Sequence, residues 1–159
     1  MCGCDAIIST LNISRKSEFP WSGLRTPPHF LSDTLRTVLA VAQELGIRRI
    51  IIVSAWGANE TQTELPGWFR WLVDHSNLAP AYRDHERQEQ LLAASECDWT
   101  IVRPVILTNG RRQARLRVGG PPLASQLRLL VSRASVAGFL LELCRTPSHL
   151  REAVTISAE

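Results

Sequence analysis

The sequence has 159 residues, of which 45% are hydrophobic and 21% are charged, with a net charge of +3. That composition excludes a disordered or fibrous chain, and the length suits one domain, so we expect residues 1–159 to form a single domain with a sizeable core. The longest apolar runs fall far short of the roughly 20 residues that cross a bilayer, which excludes a transmembrane helix.

The cysteines and the amino-terminal residues give no sign of secretion, metal binding or disulfide formation. Residues 1–5 lack the basic leader and long apolar region of a secretion signal, so we expect a cytoplasmic location. The cysteines are not spaced as zinc ligands, so we predict no metal site and expect reduced thiols. They are Cys2, Cys4, Cys97 and Cys144.

The positive charge comes almost wholly from arginine, because Lys16 is the only lysine. The densest cluster could contact phosphate, but a solvated loop or strand edge is the favoured interpretation. The cluster is not accompanied by a recognisable DNA-recognition helix or by aromatic residues arranged to stack on bases. We therefore do not expect nucleic-acid binding. The cluster consists of Arg111, Arg112, Arg115 and Arg117.

Strand-like and helix-like segments alternate along the chain, starting with an apolar strand at residues 6–10 and a polar loop after it. The apolar spacing from Ser32 to Leu45 predicts a helix, with Ser32 as its N-cap and Gly46 placed to end it. Residues 50–53 predict a strand that is buried on both faces, as in a parallel sheet covered by helices on both sides.

The second half of the chain continues the alternation. Residues 55–66 are expected to form a loop, and an aromatic-rich helix follows at residues 68–73. Its aromatic side chains either pack in the core, which is the favoured alternative, or form a lid over a ligand. A helix at residues 82–95 precedes a strand at 99–102 that Pro104 stops, and a helix from Ser135 precedes a closing strand at 154–156.

This order of elements predicts an α/β fold with a parallel sheet and helices on both faces. In such sheets ligands bind outside the carboxyl ends of the strands, where polar loops converge. Any one of these polar groups could instead serve only as a cap or loop hydrogen bond. The candidate ligand-binding residues follow the three predicted strands: Thr10, Leu11 and Asn12; Ser54 and Ala55; Pro104, Val105 and Ile106.

Three segments stand in an order that resembles a known family: CDAIIS at 4–9, IIVSA at 51–55 and DWTIVRP at 98–104. With Glu89-x-x-Leu92-x-x-Ser95 they resemble the atypical short-chain dehydrogenase/reductases, in the NAD(P)H-binding, NmrA-like branch. Asp84-His85 and the helix after it are similar to the flavin reductases of the biliverdin reductase B type. The resemblance implies a Rossmann-like fold with NADP or NAD as cofactor.

The sequence departs from that family in two places. It contains no G-x-x-G-x-x-G motif, whose amides hold the pyrophosphate, so the chain is expected to begin at the family's fourth strand, to lack the first strands and to bind cofactor weakly by itself. It also contains no Y-x-x-x-K pair: Tyr82 is the only tyrosine, and Glu86 stands four residues later. His85 stands where the family has its lysine, which leaves Ala81 at the tyrosine position.

The resemblance implies an NAD(P)H-dependent reductase of a small carbonyl, quinone or flavin-type substrate, with Ser54, Tyr82 and His85 as catalytic candidates. Tyr82 and His85 lie three residues apart and would share a helix face, although a histidine in a charged stretch can equally be a solvated surface residue. The alternative function is a non-catalytic dinucleotide sensor or assembly factor, which needs no proton donor.

The first predicted strand is also expected to present an open edge. An apolar strand without a neighbour on one side exposes amides and carbonyls that pair with other chains. We therefore expect the chain to self-associate through Ile7 and Ile8.

Overall fold

A computed structural model describes residues 3–111, 115–120 and 128–159 of the chain. Cys2 of the amino-terminal cysteine pair and Arg112 of the arginine cluster lie outside these residues. The remaining cysteines, Cys4, Cys97 and Cys144, are free thiols.

A five-stranded sheet in the order β1-β2-β3-β7-β5 organises the fold. The first four of these strands run parallel, and β5 pairs antiparallel to β7. A separate parallel pair joins β4 to β6. The strands are β1 (Ala6–Ser9), β2 (Arg49–Val53), β3 (Asp98–Pro104), β4 (Ile106–Thr108), β5 (Leu116–Gly119), β6 (Leu130–Ser132) and β7 (Glu152–Ala158).

Helices cover both faces of the sheet, as the sequence predicts. They are α1 (Phe30–Glu44), α2 (Gly67–Asp74), α3 (Ala79–Ala93) and α4 (Arg133–Arg145), and a 3-10 helix spans Asn59–Glu64. Ile50 and Ile52 pack with α1 and α3 on one face, whereas Ile51 packs with α4 on the other. All three isoleucines are fully buried, which confirms the prediction of a strand apolar on both sides.

The start of α1 differs from its prediction. The helix begins at Phe30 and its N-cap position is His29, so Ser32 lies within the first turn and is not the N-cap. Asp84 of α3 supplies the missing acceptor: its carboxylate accepts hydrogen bonds from the backbone N–H of Leu31 (2.7 Å) and from Ser32 Oγ (2.6 Å). At the other end, Gly46 has a positive φ of 68° directly after the helix, as predicted.

The segment between β2 and α3 also differs in part. Residues 55–66 are not all loop, because the 3-10 helix lies within them. The aromatic-rich helix forms as α2, but Trp68 is 63% exposed and Trp71 57%, so core packing was the wrong interpretation for these two side chains. Val73 is the buried residue of this helix.

The remaining boundaries shift by a few residues. Helix α3 begins at Ala79 rather than Tyr82 and ends at Ala93 rather than Ser95. Helix α4 begins two residues before Ser135, because Ser132 Oγ accepts a hydrogen bond from the Ser135 backbone N–H (3.1 Å) and caps the helix. Among the residues that the structure describes, no helix is long and apolar enough to span a membrane.

Candidate functional site

A cavity of about 120 Å³ lies at the carboxyl ends of β1, β2 and β3. Parallel strands end at one edge of a sheet, so the loops after them meet there. All of the candidate site residues line this cavity except Thr10 and Leu11, which are exposed in the loop after β1. The lining residues are Asn12, Ser54, Ala55, Trp56, Phe69, Tyr82, His85, Pro104, Val105, Ile106 and Leu107.

Two of the side chains that line this cavity hold a polar atom with no hydrogen-bond partner among the described residues. Ser54 Oγ and His85 Nδ1 are both buried, and neither makes a hydrogen bond. Ser54 is fixed by its backbone, whose N–H donates to the Val102 carbonyl at 2.8 Å. A buried polar atom without a partner is costly in a folded protein, and a bound ligand is one way to complete its hydrogen bonding.

His85 lines the cavity from α3, and the residue is only 4% exposed. The interpretation of His85 as a solvated surface residue is therefore wrong. Burial lowers the pKa of His85 from its ordinary value of 6.5, with the charges of Glu89 and Asp84 and the side chain of Gln88 acting in the opposite direction. At neutral pH the imidazole is uncharged, so it offers one hydrogen-bond donor and one acceptor.

Tyr82 lies one turn before His85, and its hydroxyl donates to the Trp56 carbonyl at 3.3 Å. Burial raises the pKa of Tyr82 to about 12. A catalytic tyrosine that works with a lysine has its pKa lowered, because the nearby cation stabilises the phenolate. Tyr82 therefore remains a neutral hydroxyl and does not reproduce the acid of a Y-x-x-x-K pair.

Sequence reasoning missed Trp56, Phe69 and Leu107 as lining residues. Trp56 directly follows the predicted Ala55, but its indole N–H donates to Glu64 Oε2 (3.0 Å), a contact within the segment expected to be loop. Phe69 comes from α2, and the Trp68 ring contacts it edge-on with 5.4 Å between ring centroids. The aromatic content of α2 was the available signal, and it did not distinguish Phe69 from its exposed neighbours.

An ion-pair network centres on Arg103, the residue before the cavity-lining Pro104. The Arg103 guanidinium donates to both carboxylate oxygens of Glu89 (2.9 and 2.6 Å) and to both of Glu60 (2.6 and 3.1 Å). The Arg103 and Glu89 side chains are each 3% exposed, whereas that of Glu60 is 53% exposed. Asn59 also donates to Glu89, so the network joins β3, α3 and the 3-10 helix.

The model of the NAD(P)H-binding family matches residues 1–147. The chain belongs to the NAD(P)H-binding family. The resemblance that the strand-end motifs predicted is confirmed, and with it NAD or NADP as the cofactor of the family. No curated protein sequence matches the chain.

Several solved structures share the fold of this member of the NAD(P)H-binding family. A short-chain dehydrogenase/reductase from Veillonella parvula DSM 2008 is 16% identical, with a TM-score of 0.73 over 98% of this chain and 63% of its own. A wide-type enzyme from the same organism, solved with NADP, is 18% identical, with a TM-score of 0.66 over 79% of this chain and 58% of its own. ChuY, an anaerobillin reductase from Escherichia coli O157:H7, is 24% identical, with a TM-score of 0.65 over 80% of this chain and 58% of its own.

These likenesses confirm the Rossmann-like fold class. The chain spans about 63% of the length of the first Veillonella enzyme and a smaller share of the other two structures. The roles of Ser54, Tyr82 and His85, and of the residues expected to bind cofactor, remain predictions.

Proposed function

We propose that this protein is an NAD(P)H-dependent reductase of a small carbonyl, quinone or flavin-type substrate. The observation that carries the proposal is that Ser54 and His85, which line one cavity at the carboxyl edge of the sheet, each hold a buried polar atom without a hydrogen-bond partner. Family membership supports NAD or NADP as the cofactor. The reductase class of the similar structures supports the reaction type.

The cavity fits the nicotinamide end of the cofactor. Its polar side chains are a hydroxyl, an imidazole, a phenol and an amide, set among apolar side chains, and these suit a flat, neutral ring that carries an amide group. None of the lining residues of this cavity is a glycine, an arginine or a lysine, so the lining has neither a glycine-rich turn whose amides could hold a pyrophosphate nor a cationic side chain that could pair with it. Asn12, Ser54 and residues 104–106 would hold the ring, and the cofactor would supply the hydride.

The side chains of the chain itself have distinct roles in this proposal. The Ser54 hydroxyl donates a hydrogen bond to the substrate oxygen, where negative charge develops. The neutral His85 ring donates a second hydrogen bond to that oxygen, because its lowered pKa disfavours the protonated form that could act as an acid. The proton that completes the reduction comes from water. Tyr82 shapes the cavity through its bond to the Trp56 carbonyl.

The first test measures which part of the cofactor this chain binds. Reduced nicotinamide mononucleotide and NADPH should bind with dissociation constants within about tenfold of each other, because the cavity suits only the ring end. Titration by cofactor fluorescence measures both constants. Binding of NADPH more than about 100-fold tighter would show that the chain also holds the pyrophosphate, and would contradict this assignment.

The second test measures turnover of NADPH or NADH with quinone and flavin acceptors. Ser54→Ala and His85→Ala should each lower kcat by about 10- to 100-fold and weaken cofactor binding less. Ser14→Ala is the matched control, since Ser14 lies exposed outside the cavity. His85→Gln keeps one donor and one acceptor and should retain more turnover than His85→Ala. Normal turnover by both alanine variants would remove these residues from the mechanism.

A non-catalytic dinucleotide sensor is the second candidate. The observation that favours it is Tyr82, whose pKa is raised rather than lowered, so the usual acid of the family's catalytic pair is missing. Cofactor binding without turnover of any acceptor would support the sensor. We also propose that the protein is cytoplasmic and that it does not bind nucleic acid.

A further inference from the structure

Residues from three separate segments of the chain build the cavity. Ser54 and Trp56 follow β2, Pro104 ends β3, and Tyr82 and His85 lie on α3. Their relative positions depend on contacts between these elements, and small errors in such positions reduce catalysis strongly.

Arg103 belongs to β3, and its side chain is hydrogen-bonded to the other two segments. It immediately precedes Pro104 in β3, it binds Glu89 one helical turn after His85, and it binds Glu60 in the 3-10 helix. Two parallel N–H···O bonds to each carboxylate fix direction as well as distance, which a single contact to a lysine would not do.

We propose that Arg103 is the positioning residue of this site, holding α3 through Glu89 and the segment after β2 through Glu60, so that Ser54 and His85 line one cavity. This inference rests on the proposed function and deepens it. It also gives a role to Glu89 and Arg103, which stand in two of the sequence motifs that the catalytic assignments leave unused.

The two carboxylate partners of Arg103 differ in burial, so the weaker one can be removed without unfolding the protein. Glu89 is buried, so its removal would leave the buried Arg103 with only the half-exposed Glu60 as a charged partner and would threaten folding. Glu60 is half-exposed, and the hydrogen bonds from Arg103 lower its pKa, so it is charged at neutral pH. Glu60→Gln therefore removes the charge of Glu60 and leaves the buried pair of Arg103 with Glu89 intact. The hydrogen bond from Asn59 to Glu89 still connects the 3-10 helix to α3.

Trp56 provides a readout that does not depend on activity. Its indole N–H donates to Glu64 at the end of the 3-10 helix, so its resonance in a proton–nitrogen correlation spectrum reports the placement of that segment. Trp56→Phe assigns the resonance. The matched control is Glu152→Gln, which removes the exposed carboxylate bonded to His149, near the start of β7 and away from the cavity.

We expect Glu60→Gln to shift or broaden the Trp56 indole resonance and to lower kcat/KM about tenfold, mainly through kcat. Its melting temperature should fall by no more than about 4 °C, because one partner of the pair is exposed. Glu152→Gln should change neither the resonance nor turnover. Glu60→Asp, which keeps the charge on a shorter side chain, should recover part of the loss.

The two proposals can fail separately. A shifted Trp56 resonance in a protein that turns over no acceptor supports the positioning role of Arg103 and contradicts the reductase. An active wild-type protein in which Glu60→Gln behaves like Glu152→Gln in both readouts overturns the positioning role and leaves the reductase standing. A loss of turnover that only follows loss of the helical circular-dichroism signal also overturns it.

Discussion

The carboxylate of Asp84 shows how one side chain fixes the contact between two helices. It is fully buried on α3 and accepts hydrogen bonds from the first turn of α1, where the helix has no cap of its own. A negative charge at that position also interacts favourably with the helix dipole. The start of α1 is therefore held by a residue about 50 positions later in the chain.

We predict that Asp84→Ala lowers the free energy of unfolding by about 1–3 kcal/mol, because it leaves buried backbone N–H groups without acceptors. Urea denaturation followed by circular dichroism measures the change. Asp33→Ala is the control: Asp33 lies in the same turn of α1 but forms only an exposed ion pair with Arg36. Equal effects of the two substitutions would rule out the cap.

His85 should make the stability of the protein sensitive to mild acid. Its pKa is lowered in the folded state, so the unfolded chain takes up a proton near pH 6.5 while the folded protein does not. Acid therefore favours unfolding below that pH, with a slope of up to about 1.4 kcal/mol per pH unit. The free energy of unfolding of the wild type should fall more steeply between pH 7.5 and 5.5 than that of His85→Gln. Parallel dependences would show that His85 titrates normally.

At the scale of an element, the turn after β2 depends on a glycine. Gly57 has a φ of +101°, and a Cβ placed on it would lie 2.7 Å from Leu65 Cδ1. Both the backbone conformation and the close approach therefore require glycine.

Gly57→Ala should destabilise the protein by about 1–3 kcal/mol, through backbone strain and displacement of Leu65. Gly67→Ala provides the control at the first residue of α2, where no atom lies within 4 Å of the added Cβ. That change should be neutral or stabilising by up to about 1 kcal/mol, since alanine favours helix over glycine. Thermal melts compare the two, and equal losses would mean that the turn tolerates a side chain.

The elements that the sequence predicted well are those with a strong local pattern. The repeat of apolar residues gave α1, and the parallel strands implied that Ser54 and Pro104 would meet at one edge. The contacts that escaped prediction join distant segments. No local signal links Asp84 to α1 or Glu60 to Arg103, because each depends on how whole elements pack, and the exposure of Trp68 and Trp71 on α2 likewise followed from packing.

Across the whole molecule, β1 is an edge strand of the five-stranded sheet. It pairs with β2 alone among the described residues, and its residues are half-buried. We therefore keep self-association as a prediction, since an edge of this kind offers unpaired amides and carbonyls.

Light scattering after size-exclusion chromatography measures that association. Ile8→Lys should shift the population toward monomer, because an edge lysine opposes strand pairing. Ile8 also packs partly against the core, so a melting curve must accompany the measurement. Leu141→Lys, on an exposed position of α4, introduces the same charge elsewhere. A wild-type monomer at high concentration would contradict the prediction.

The place of β7 in the sheet has a consequence for synthesis. This strand, residues 152–158, lies between β3 and β5, and β5 pairs with no other described strand. While a ribosome is still making residues 130–150, β3 has an open edge and β5 has no partner. Because such a sheet can close only once its interior strand has emerged, the nascent chain exposes apolar surface until residues 152–158 have left the ribosome. The sheet should therefore close only after β7 has emerged, and chaperones that shield nascent chains should raise the soluble yield of this protein.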